Sequence, residues 1–135
     1  RFAAVIPPKS GQGKATVAYS LKKNISYVPT SIAKGNLLFI LTDGGIASCL
    51  DLASGEMKWR ERLGGNYFAS PILVGDVIYA VSREGMVISL APTDKFKELG
   101  RSNLGELTYN TPAVANDSLY FRTYSQLFRL TGKTN

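Results

Sequence analysis

Three stretches of this 135-residue chain line up on one another at offsets of 40 and then 41 residues. Such a repeat restricts the fold more than any other property of the sequence. The first stretch runs from Thr30 to Leu41, the second from Ser70 to Val81 and the third from Thr111 to Arg122. Ser31, Pro71 and Pro112 share one column, and the aromatics Phe39, Tyr79 and Tyr120 share another.

Each stretch reads as two short apolar strands around a tight turn, at Gly35-Asn36, Gly75-Asp76 or Asn116-Asp117. Those residue types accept the positive φ of two-residue hairpins. A second turn follows at Asp43-Gly44-Gly45 and Arg83-Glu84-Gly85, shrinking to Tyr124-Ser125-Gln126 in the third copy. Third strands are expected over 46–50, 86–90 and 126–130, and fourth strands around Trp59 and over 97–102. Tyr19 stands 40 residues before Trp59, so 15–22 fits a fourth strand, with 1–6 the third strand before it and 7–13 an enlarged connection. The expected units are therefore 1–25 (two strands), 28–63 (four), 68–104 (four) and 109–131 (three, the chain stopping at Asn135 before a fourth). No helix is expected, since 32–41 lacks a cap and carries Gly-Asn at its centre.

A four-stranded unit of about 40 residues that repeats is the signature of a β-propeller blade. One small twisted sheet has two apolar faces and covers neither alone, so neighbours must stack on both. A β-sandwich built from the same hairpins would need neither constant spacing nor aligned columns. The fold class is thus all-β, a partial propeller of four-stranded antiparallel blades. Propellers close with roughly four to eight blades, so the chain reads as the C-terminal arc of a larger one. Its completing partner is either further blades of the same protein or another copy.

The composition removes several functions. Apolar runs such as Leu37-Leu38-Phe39-Ile40-Leu41 are far too short to span a bilayer. Membrane attachment would need an upstream anchor. One cysteine, Cys49, permits no internal disulfide, and histidine is absent, which removes the commonest general base and metal ligand. The net charge of +6 invites a polyanion reading, but the basic residues are scattered and only Lys58, Arg60 and Arg62 form a local stripe. Scattered charge of this kind is ordinarily solvated surface, so no nucleic-acid partner is expected.

Around Trp59, the only tryptophan, the sequence Cys49-Leu50-Asp51-Leu52-Ala53-Ser54-Gly55-Glu56-Met57-Lys58-Trp59 reads as strand, turn, strand. It resembles the tryptophan-docking motif of pyrroloquinoline-quinone-type propeller repeats, Ala-x-Asp-x-x-Thr-Gly-x-x-x-Trp. Cys49 stands for the alanine and Ser54 for the threonine. Ser70-Pro71, Gly75-Asp76 and Tyr79 also match the family pattern. The resemblance implies a structural role for Cys49, Asp51, Gly55 and Trp59, with the indole between adjacent blades and its N–H on a carbonyl. The other copies depart from the motif: Ala91-Pro92-Thr93-Asp94 replaces Asp51 to Ser54, Leu99 is expected in the Trp59 column, and Tyr19 replaces the tryptophan at the start.

The resemblance extends to secreted or periplasmic quinoprotein-like repeat proteins, among them the outer-membrane assembly lipoprotein of the Bam complex. It implies a non-catalytic scaffold for an unidentified protein or ligand, without a cofactor, acting from loops at the blade ends. One alternative is the C-terminal portion of a quinone-dependent alcohol or sugar dehydrogenase, which would need the quinone and calcium. Calcium requires six to eight converging oxygens, whereas Asp43, Asp51, Asp76, Asp94 and Asp117 fall singly in turns, where carboxylates bond backbone amides. Another alternative is a polyanion-binding surface on Lys58, Arg60 and Arg62. Cys49 is expected to be a small buried residue, and Tyr67, Phe68, Tyr109, Tyr120 and Phe121 to be blade core.

Overall fold

The computed structural model describes residues 1–9 and 11–132, all of whose regular structure is β-strand. Thirteen strands form four antiparallel meanders. The first sheet pairs β1 (Phe2–Ile6) with β2 (Thr16–Leu21). The second contains β3 (Ile32–Lys34), β4 (Leu37–Leu41), β5 (Ile46–Asp51) and β6 (Met57–Arg62) in sequence order. The third contains β7 (Ile72–Val74), β8 (Val77–Val81), β9 (Met86–Leu90) and β10 (Glu98–Asn103). The fourth has β11 (Ala113–Ala115), β12 (Ser118–Arg122) and β13 (Leu127–Thr131). Residues 133–135, where the chain was expected to stop short of a fourth strand, lie outside the described residues, as does Ser10 in the long connection from β1 to β2.

The first hairpin of each full repeat closes at the expected dipeptide, with Lys34 opposite Leu37, Val74 opposite Val77 and Ala115 opposite Ser118. Gly35 and Gly75 each take φ of +57°, and Asn116 and Asp117 take +47° and +54°. Asparagine and aspartate tolerate this left-handed region better than other non-glycine residues. The aromatic column is real: Phe39, Tyr79 and Tyr120 all stand opposite the first residue of the preceding strand.

The second and third sheets are covered on both faces by their neighbours, whereas the first and fourth are covered on one face only and leave Val17, Val114 and Leu127 exposed. Leu38, Ile40 and Leu50 pack toward the first sheet with Phe2 and Leu21. The opposite face of the second sheet, with Phe39, Leu41, Ala47, Cys49 and Trp59, packs on Ile78, Ala80, Ile88 and Leu90 of the third. The third meets the fourth through Val81, Val87 and Phe121. This arc of stacked blades is a partial β-propeller.

Bonds from backbone N–H groups to side-chain hydroxyls also run between blades. The Thr30 N–H donates to the Ser70 hydroxyl and the Ser70 N–H to the Thr111 hydroxyl, each at 3.0 Å. One Ser/Thr column thus links the starts of successive blades.

Candidate functional site

The motif around Trp59 forms an inter-blade joint. Asp51 Oδ1 accepts the N–H groups of Ala53 and Ser54 at 3.1 and 2.8 Å and the Ser54 hydroxyl at 2.8 Å. Those bonds, chiefly from Ser54, hold its carboxyl below the ordinary carboxylate range. Gly55 follows at φ +76°. Trp59 lies opposite Cys49 and is buried, and its indole N–H donates to the Thr93 carbonyl of the next blade at 2.9 Å. The ring packs edge-on to Phe96, 5.3 Å between centroids, and tilted against Phe39 at 6.1 Å. A buried indole gains both area and a satisfied polar edge here. Cys49 is fully enclosed, and burial pushes its thiol up to about 11, so it stays protonated near neutral pH.

The same joint recurs one blade earlier. Tyr19 stands opposite Ala4 with a register shift immediately beyond, matching Trp59 opposite Cys49. Its ring occupies the space against the Gly55 turn. The Trp59 position of the third sheet belongs to Gly100, which pairs with Ser89 just as Trp59 pairs with Cys49. The expected Leu99 is instead the residue skipped at the bulge and is half exposed. Six residues separate the paired Leu50 and Met57 and seven the paired Leu90 and Glu98, which displaces the column by one. The seam to the fourth sheet therefore has no docking ring and contains a cleft of about 190 Å³ beside Gly100, Tyr79 and Phe121.

The basic residues of β6 divide. A bulge lets Leu50 face Met57, so Lys58 drops out of the pairing and binds Glu56 at 3.0 Å. Arg60 and Arg62 stand opposite Ser48 and Ile46. Arg60, with Lys22 and Lys23, lines a cleft at the first seam.

The end of the arc where one blade passes to the next is held by carboxylates. Asp43 accepts the N–H groups of Tyr27 and Val28, each at 2.9 Å. Glu84 accepts the backbone N–H and side-chain amide of Asn66 at 3.2 and 3.1 Å. In the third copy the carboxylate moves to the connecting segment. There Glu106 accepts the hydroxyls of Thr123 and Ser125 at 2.7 and 2.6 Å and the Ser125 N–H at 3.0 Å. Partial burial works against the charged form of Glu84, but its hydrogen bonds, led by those from Asn66, hold it at about 2. Glu106 is likewise held at about 2, chiefly by Ser125.

Around these locks lies a group of side chains that the sequence reading placed wrongly. Tyr67 and Phe121 are buried as expected, but Phe68 and Tyr109 are about half exposed. Their rings meet at 5.3 Å, the Arg83 guanidinium sits over Tyr109 at 5.6 Å, and its Nε donates to the Tyr109 hydroxyl at 2.7 Å. They are on connecting segments, where no second sheet covers them. Tyr27 and Tyr124, at 94% and 90% exposure, lie at the same end, Tyr27 donating its N–H to Asp43 and Tyr124 its N–H to the carbonyl of half-exposed Leu107. Tyr27, Phe68 and Tyr109 are spaced 41 residues apart, a column that marks this rim in the sequence. Among the described residues, no three His, Cys, Asp or Glu side chains gather to hold a metal. No helix is long and apolar enough to cross a membrane.

Stacked antiparallel blades joined by an aromatic residue on the following turn define a β-propeller repeat segment. The sequence profile described as outer membrane protein assembly factor BamB, of the PQQ_2 type, matches residues 8–134, and the chain belongs to that family. BamB from Moraxella catarrhalis is a similar solved structure, at 22% identity and a TM-score of 0.70. The match covers 95% of this chain and 42% of that one, a likeness of fold over less than half of the longer protein. No curated protein matches.

Proposed function

We propose that the chain is a non-catalytic stretch of a β-propeller scaffold in the periplasm or another secreted compartment, and that it meets a protein partner with the end bearing Tyr27, Phe68, Tyr109 and Tyr124. One observation carries this reading. Large aromatics are left in solvent at one end of the arc, on segments fixed by Asp43, Glu84 and Glu106. Exposed tyrosines on rigid loops supply contact area at little entropic cost, as interface centres do. Ordinary surfaces carry apolar residues singly rather than in such a group. Membership of a family described as an outer membrane protein assembly factor supports both the envelope location and the partner role.

The scaffold works without quinone or calcium. Both oxygens of Asp43 accept backbone amides, Asp51 accepts backbone amides on Oδ1 and the Asn36 side chain on Oδ2, and Asp76 pairs with Lys34. The test is capture of partners by the full chain from envelope extracts, compared with a Tyr109→Ser/Tyr124→Ser variant. Retention of a discrete protein by the parent and its loss from the variant, with unchanged melting, is the expected result. Equal capture by both, or saturable binding of calcium with quinone, would contradict it.

A further inference from the structure

The repeat contains its own control for one unusual cleft. In the third sheet, Arg101 stands opposite Ile88 and reaches back across the seam to the Leu63 carbonyl at 3.0 Å. It also grips Glu98 through two bonds, at 2.6 and 2.9 Å. A paired fork of this kind is the strongest ordinary carboxylate contact. In the second sheet the corresponding residue is Arg60, opposite Ser48. The position of Glu98, opposite Leu90, is taken there by Met57, opposite Leu50. Arg60 consequently has neither carboxylate nor carbonyl, and no hydrogen bond or ion pair to any described residue.

Three further features surround this vacant fork. Ser48 replaces the Ile88 that fills the next seam, and its hydroxyl is buried without a hydrogen-bond partner among the described residues. Ser48 is one of the residues lining a cleft of about 540 Å³. Lys22 and Lys23 line it with Arg60, three cations with no acid among the lining residues. Its apolar wall is Leu21, Leu50 and Met57.

We propose that this cleft at the first seam is a slot for a carboxylate from an acidic, partly apolar peptide of a partner. The carboxylate takes the place that Glu98 occupies beside Arg101, and neighbouring apolar side chains lie along Met57 and Leu21. Lys22 and Lys23 add the field that draws the acid in. The inference rests on the scaffold reading only in taking the ligand to be a peptide. Its test uses purified full chain and a synthetic probe, so the outcome does not depend on whether a partner is captured.

The probe is a fluorescein-labelled peptide of alternating glutamate and leucine, with a glutamine-for-glutamate counterpart, followed by anisotropy. The expected result is saturable binding of the glutamate peptide and weaker binding of the glutamine one. Arg60→Gln should weaken binding by about tenfold or more, as befits loss of a hydrogen bond to a charged group. Met57→Glu should do the same by supplying the missing carboxylate from within. Lys95→Gln, which removes one charge elsewhere, should leave binding unchanged. Arg60 and Met57 are exposed, and thermal melting of each variant checks that the fold is intact. No saturable binding, equal binding of the two peptides, or indifference to Met57→Glu would overturn the proposal. So would tighter binding of heparin than of the glutamate peptide, which would make the cleft a general polyanion face.

Discussion

The ring of Tyr19 lies where a side chain on Gly55 would have to begin, its Cδ2 2.6 Å from the position a Cβ would take. The two residues belong to successive blades, and Gly55 also holds φ at +76°. One glycine therefore serves both its own turn and the joint with the blade before it.

Gly55→Ala should accordingly cost more than the left-handed backbone alone, which is about 1–2 kcal/mol for a residue with a Cβ. The ring of Tyr19 must move as well. Melting of Gly55→Ala beside Gly35→Ala, a positive-φ glycine with open space around it, measures the difference. The larger loss is expected at Gly55.

Trp59 should separate into ring and hydrogen bond. Trp59→Phe keeps most of the apolar contact with Phe39 and Phe96 but leaves the Thr93 carbonyl without its donor, a loss of about 1–3 kcal/mol. Trp59→Ala also opens a cavity, for about 3–5 kcal/mol in total. Denaturant titration of the two variants gives both figures.

Acid should loosen the connecting segments before it unfolds the rest. Glu84 and Glu106 titrate at about 2 in the folded chain, below the ordinary value of 4.5. A depressed folded value contributes stability that is fully present above the unfolded pKa and is lost as pH falls toward the folded one. Melting temperature should therefore fall between pH of about 5 and 2. Glu106→Gln should flatten that dependence. An unchanged profile in Glu106→Gln would show that its bonds to Thr123 and Ser125 contribute nothing.

The strands and their turns were legible because dipeptides such as Asn116-Asp117 and the column of Phe39, Tyr79 and Tyr120 act through local geometry. The Trp59 joint was legible for a different reason. A lone tryptophan after Asp51 and Gly55 matches a family pattern, although nothing nearby in sequence reveals Thr93 or Phe96 as its neighbours. Counting by a fixed offset failed where one residue was inserted, so Leu99 took a place that belongs to Gly100. The aromatic rim was misjudged because Phe68 and Tyr109 have the composition of core, and whether a neighbouring sheet covers a connecting segment is decided in three dimensions. The migration of the lock from Asp43 and Glu84 to Glu106 leaves no periodic trace, since donor and acceptor exchange segments.

The rim makes the most direct demand. A photo-crosslinking phenylalanine derivative at position 109, and separately at position 116 on the opposite end of the arc, would be activated in the full protein within its own cells. A discrete protein adduct is expected from position 109 and none from position 116. Adducts from 116 alone, or from neither, would contradict a docking role for the rim.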